Sequence, residues 1–226
     1  MLKPRKRLVK SKLKEDKLVT YTVKAQAYLN KNWRNLSYGF GILVIVIVGF
    51  SVLNWSNRSA EIQSTFDDML ARDAYARGAL DETLTRVERI LEDYSRTPSA
   101  ASALMLKGRI LQQRGNFPAA EEAYREVARR FSDEEYLSFG ANFSLAIIAY
   151  GREDYSLAAA KYLDAANKHP EHFNCPNALL EAGNCFVKIS KYDDAKRAYR
   201  RILKNYPKSR SADKARNKLA DLDFMG

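Results

Sequence analysis

Three stretches decide the fold: Phe117-Pro-Ala-Ala-Glu-Glu-Ala-Tyr-Arg125, Tyr155-Ser-Leu-Ala-Ala-Ala-Lys-Tyr-Leu163 and Tyr192-Asp-Asp-Ala-Lys-Arg-Ala-Tyr-Arg200. In each, an aromatic residue is followed at +3 by Ala (Ala120, Ala158, Ala195) and at +7 by Tyr (Tyr124, Tyr162, Tyr199). Those offsets share one face of an α-helix. A terminator stands at +12 from each Ala: Ser132, Pro170 and Pro207. Proline cannot continue a helix, because it lacks the N–H and clashes with the preceding turn. A fainter copy lies upstream, with Gly78, Leu80, Thr83, Val87 and Ile90 at the equivalent places and Ser95 as its end. The steps from Thr83 to Ala120 to Ala158 to Ala195 are 37, 38 and 37 residues.

The segments before these stretches, residues 102–114, 141–150 and 177–189, also carry helical patterning. Gly108, Ala146 and Gly183 hold the same place in each. A small residue lets two helices approach, and a Tyr on the facing helix fills the groove between them. Each unit is therefore helix A, turn, helix B. After the last unit, residues 211–224 place Ala212, Ala215, Leu219 and Leu222 on one face and Asp213, Lys214, Arg216 and Lys218 on the other, as a capping helix requires. The expected exported part, residues 56–226, holds three clear repeats, a degenerate first one and this cap.

Residues 36–55, Leu36 to Trp55, carry no charge, and Ile42 to Val48 are aliphatic on every side. Twenty helical residues rise through ~30 Å, the thickness of a bilayer's hydrocarbon core. Trp33 and Tyr38 at one end and Trp55 at the other match the aromatic belts of the two interfaces. One transmembrane helix is expected there. Ahead of it, residues 16–35 carry Leu18, Val19, Tyr21, Val23, Tyr28, Leu29 and Trp33, the pattern of an interfacial helix.

The charge sorts along the same boundary. The chain of 226 residues has 38 Lys and Arg against 27 Asp and Glu, a net of +11. Residues 1–35 alone hold 11 of the basic side chains and only Glu15 and Asp16, so +9 of the excess lies in the tail and +2 in the rest. A near-neutral bulk argues against a nucleic-acid-binding domain. Basic residues before the span and Glu61, Asp67 and Asp68 after it put the N-terminus in the cytoplasm and residues 56–226 across the membrane. No small-residue cleavage site follows Trp55, so an uncleaved, single-pass anchor is expected. Arg5, Lys6, Arg7, Lys10, Lys12 and Lys14 are the candidate contacts to anionic lipid, or alternatively to a ribosome or nucleic acid.

Small-residue contact in helix A, aromatic-x-x-Ala-x-x-x-Tyr in helix B and a closing Pro resemble the tetratricopeptide repeat. Its usual period is about 34 residues, so each unit here carries a few extra in its connections. The basic tail, single anchor and exported repeats together resemble the ancillary Sec translocon subunit family. That resemblance implies a bacterial inner-membrane protein with a periplasmic or otherwise extracytoplasmic domain. It also implies translocon subunits, exported polypeptides or periplasmic chaperones as partners, and no catalysis. The outer-membrane assembly lipoproteins have similar repeats but a lipidated cysteine after the leader, which this chain lacks.

In such repeats helix A lines the concave groove. The register then nominates Arg72, Tyr75, Met105, Arg109, Gln112, Phe143, Ile147, Tyr150, Leu180, Asn184 and Lys188 as a protein-binding surface. Apolar and aromatic side chains beside a few polar ones suit extended peptide segments. With His169 and His172 as the only histidines, no Ser-His-Asp or Cys-His set assembles, and no Gly-rich phosphate loop occurs. His169, His172, Cys175 and Cys185 are ligand types for a soft metal. Their spacing departs from paired zinc motifs, and prolines break the segment. It reads as a polar loop at a helix end. No catalytic residue, metal or cofactor is expected.

Overall fold

The computed structural model describes residues 17–224, and the candidate tail contacts Arg5, Lys6, Arg7, Lys10, Lys12 and Lys14 lie outside them. The described chain is all-α. Its helices are α1 (Lys17–Ala76), α2 (Leu80–Asp93), α3 (Pro98–Gln113), α4 (Phe117–Arg130), α5 (Glu135–Gly151), α6 (Tyr155–Lys168), α7 (Cys175–Lys188), α8 (Tyr192–Asn205) and α9 (Arg210–Phe224). The chain divides between Asn57 and Arg58 into two compact units.

The described part of the first unit is helical throughout. Residues 37–52 are exposed at every position, Ile45 to 72%, and Trp55 to 75%. The apolar run thus finds no partner within its own unit. Among the described residues no single helix is long and apolar enough to cross a membrane. A bent pair, Tyr21–Asn35 and Ser37–Val52 at 66°, meets the length and composition together. The single transmembrane helix expected over 36–55 is therefore not supported by the structure.

The second unit is a stack of helix pairs in the expected register. Residues 58–76 of α1 act as the first helix A, followed by the pairs α3–α4, α5–α6 and α7–α8, with α9 as the cap. The helices A begin four to six residues earlier than patterning suggested in α3 and α5, and two earlier in α7. Pro98 in the first turn of α3 explains one such start, since its missing N–H would have had no partner there anyway. Helices B carry side-chain caps where the sequence supplies them: Asn116 accepts from the Ala119 N–H at 3.4 Å and Asp154 from the Leu157 N–H at 3.0 Å. The turn between A and B is always closed by a residue of positive φ, namely Gly78, Gly115, Glu153 and Ser190. These four recur with the repeat.

Packing repeats with the same period. Tyr124, Tyr162 and Tyr199 are buried between the helices of their pairs, with Ala120, Ala158 and Ala195 beside them. Their rings fit because the facing helix carries little there: a Cβ on Gly108 would come within 2.6 Å of Tyr124 Cε1, and one on Gly183 would lie closer still to Tyr199. Neighbouring repeats are tied at the ends of helices B. Arg130 donates to the Ser95 carbonyl, and Arg201 to the Ala166 carbonyl at 3.2 Å and to the Asn167 side chain. Arg201 thus meets a last-turn carbonyl of α6, and Arg130 one just past the end of α2, each at the helix's negative end. Besides their neighbours in sequence, α3 touches α5 and α7 touches α9, so these helices meet directly along the inner side of the stack.

Candidate functional site

The inner surface of the second unit opens into a cleft of about 390 Å³ between residues 72–109 on one side and α5 with the α6–α7 loop on the other. Its first wall is held by polar contacts. Asp68 accepts from Arg72 Nε at 2.8 Å and from the Ser102 hydroxyl at 2.6 Å, and Arg72 Nη2 donates to Ser102 at 2.7 Å. The guanidinium of Arg109 lies over the Tyr75 ring, 5.9 Å from its centroid. Among the described residues Arg109 has no carboxylate partner, unlike Arg72.

The opposite wall is aromatic. The ring of His172 stacks on Phe139 at a centroid distance of 3.8 Å, meets Tyr136 edge-on at 5.1 Å and lies 4.5 Å from Phe173. Phe143 continues the stack from Phe139 at 6.0 Å and meets Tyr162 edge-on at 5.0 Å. Burial holds the His172 imidazole below its ordinary pKa, against a smaller opposing pull from Glu135. His172 is thus a neutral ring near pH 7, and its Nδ1 accepts from the Asn174 N–H at 3.2 Å. Tyr136 and Phe173 stay open to solvent, at 68% and 78%.

The loop that delivers His172 and Phe173 is anchored from behind. Tyr206 donates its hydroxyl to the Pro170 carbonyl at 2.7 Å, and that hydroxyl also lies 3.1 Å from Cys175 Sγ. Extra residues beyond the usual repeat length therefore do more than connect: they fold back over α5 and build one side of the cleft.

Of the nominated surface, Arg72, Met105, Arg109 and Phe143 line this cleft together, and Tyr75 backs Arg109. Gln112 is half-buried, accepting the Tyr124 hydroxyl at 3.2 Å. Ile147 is exposed, and Tyr150 packs edge-on against Tyr155 at 5.2 Å. Neither lines the cleft. Leu180 is buried at 3% in the core with Leu179 and Tyr199, so it is no surface contact. Asn184 accepts from Tyr199 at 2.9 Å and donates to Glu181 at 3.1 Å, and Lys188 is exposed at the end of α7.

Sequence reasoning missed Tyr136, Phe139, His172 and Phe173. The available signal was aromatic residues crowded near a loop longer than the repeat needs. Of the four His and Cys positions weighed as metal ligands, three go elsewhere: His172 stacks in the cleft wall, and both cysteines are buried in the core around α7. Among the described residues no group of three or more His, Cys, Asp or Glu side chains is placed to hold a metal ion.

A model of the tetratricopeptide repeat-like domain family matches residues 26–223, so the chain belongs to that family. BtubC of P. vanneervenii is similar at a TM-score of 0.55 and 15% identity, over 65% of this chain and 64% of that one. The likeness thus spans under two thirds of BtubC. PilF of Pseudomonas aeruginosa is similar at a TM-score of 0.55 and 16% identity, over 74% of this chain and 70% of that one. At such identity both likenesses speak to the fold. No curated protein matches the chain.

Proposed function

We propose that this tetratricopeptide repeat-like protein is a membrane-tethered scaffold whose inner cleft takes extended segments of other proteins. The observation that carries the reading is the cleft itself. Tyr136 and Phe173 are large, apolar and open to water beside two arginines. Aromatic and arginine side chains are the types that dominate binding energy at protein interfaces. An inner surface made of the A helices offers a long strip on which a chain can lie.

Tethering rests on a separate observation. The aliphatic run within residues 37–52 is wholly exposed, and water would penalise that surface heavily. A bilayer removes the penalty, and the bent pair then divides into a part at the interface and a part in the hydrocarbon. The basic tail sets the N-terminus in the cytoplasm and the repeats outside it. In that place the segments reaching the cleft are exported polypeptides or translocon-associated proteins. A second reading, adhesion to anionic lipid or ribosomes through the tail, is favoured by the net +9 of residues 1–35.

The test has two arms. Membranes carrying the full chain are washed at high salt and alkaline pH, and retention in the pellet is the expected result. Release by salt alone leaves only electrostatic adhesion by the tail. A photo-reactive amino acid at Phe143 is then activated in intact membranes, and defined adducts with translocon subunits or exported chains are expected. Recurrent absence of adducts there and at Phe173 defeats the cleft reading.

A further inference from the structure

We propose that the cleft selects acidic segments carrying an aromatic residue, with Arg109 as the group that reads the charge. This rests on the cleft being the peptide-binding site and adds the class of segment it takes. The residues lining the cleft include Arg72 and Arg109 but no Asp or Glu. Arg72 is already committed to Asp68 and Ser102, and its charge is balanced at 2.8 Å. Arg109 is exposed, has its guanidinium over the Tyr75 ring, and has no carboxylate of its own among the described residues. It is a cation at the cleft for which the described residues supply no carboxylate.

Across the opening stands the aromatic wall, with Tyr136 and Phe173 open to water and the neutral His172 behind them. A ligand that satisfies both walls carries a carboxylate for the guanidinium and, beside it, an aromatic side chain that stacks on Phe173 or Tyr136. Basic segments are rejected by the same arrangement, because they face Arg109 without compensation. Selection is thus for acidic aromatic stretches over basic ones of equal hydrophobicity.

The experiment uses the full chain in detergent micelles and three fluorescein-labelled nonapeptides, read by anisotropy. One peptide carries two phenylalanines and two glutamates, one has lysines in place of the glutamates, and one has alanines in place of the phenylalanines. The first is expected to bind about tenfold tighter than either twin, the discrimination given by one charge-assisted contact. Arg109→Gln is expected to remove most of the preference over the lysine twin, and Arg109→Lys to keep part of it. Phe173→Ala is expected to weaken the first peptide and leave the alanine twin unchanged.

Equal binding of the glutamate and lysine peptides, with Arg109→Gln silent, overturns the charge selection while peptide binding itself stands. Failure of all three peptides to bind defeats the cleft reading along with it. Binding that ignores Arg109→Gln but disappears when Lys10, Lys12 and Lys14 are changed to Gln puts the acidic peptide on the tail and also overturns the proposal.

Discussion

The ring of Tyr199 lies against Gly183, so close that three of its carbons would overlap a Cβ placed there. The Tyr hydroxyl is fixed by donation to Asn184 Oδ1 at 2.9 Å, so the ring cannot swing away without losing that bond. Gly183→Ala is expected to destabilise the protein by about 1–2 kcal/mol. Overpacking costs ~1–3 kcal/mol and outweighs the ~1 kcal/mol that Ala contributes as a better helix former. Gly140→Ala is the contrast, because a Cβ there meets only the flexible end of Met105 at 3.2 Å. It is expected to be neutral or stabilising. Chemical unfolding of both variants, followed by circular dichroism, checks the pair, and a stabilised Gly183→Ala would contradict the close packing.

Glu153 and Ser190 hold the turn position at φ of 62° and 58°, where the earlier repeats carry Gly78 and Gly115. A side chain in this left-handed region is strained by ~1–2 kcal/mol, and the gain from Gly is partly offset by its freer unfolded chain. Ser190→Gly is therefore expected to raise stability by about 0.5–1 kcal/mol. Gly115→Ala is expected to lower it by a similar amount. The midpoint of urea unfolding at unchanged slope is the measurement.

The His172 imidazole is held below its ordinary pKa by burial in the aromatic wall, with Glu135 pulling up and His169 pushing down. The unfolded chain then takes up this proton more readily than the folded one. Stability from His172 is complete above the unfolded value of ~6.5 and is lost as the pH falls through it. Thermal midpoints at pH 7.5 and 5.5 are expected to differ less in His172→Phe than in the unaltered protein. Equal differences would mean the ring takes its proton without leaving the stack.

Burial pushes the Cys185 thiol up to about 12, helped by nearby Glu181, and raises the Cys175 thiol as well. Both side chains are fully buried. Only the thiolate reacts with disulfide reagents. Labelling with a chromogenic disulfide is expected to be slow in the folded chain at pH 8, and complete and fast in denaturant. Rapid labelling of one thiol under native conditions would show that the loop before α7 opens readily.

Much of this was legible in the residues. The recurring aromatic, Ala and Tyr marked helices B, and Gly108 and Gly183 marked where helices A come close. Contacts between the helices of one pair involve residues near in the chain, and their pattern survives in the spacing. Leu180 was misplaced because a helix A between two neighbours buries more than one face, and a single-face projection cannot tell the groove from the core.

The sequence alone determined the helix pairs, their period and the uncharged run of residues 36–55, because hydrophobic spacing and proline act locally. It took the packing of successive pairs to bring His172 and Phe173 back onto Phe139, and to set Arg109 across from them without an acidic neighbour in the lining. Those placements depend on how successive pairs stack and on Tyr206 holding the Pro170 carbonyl from behind. Residues some thirty or more positions apart meet there through packing, and no local periodicity encodes which of them will touch.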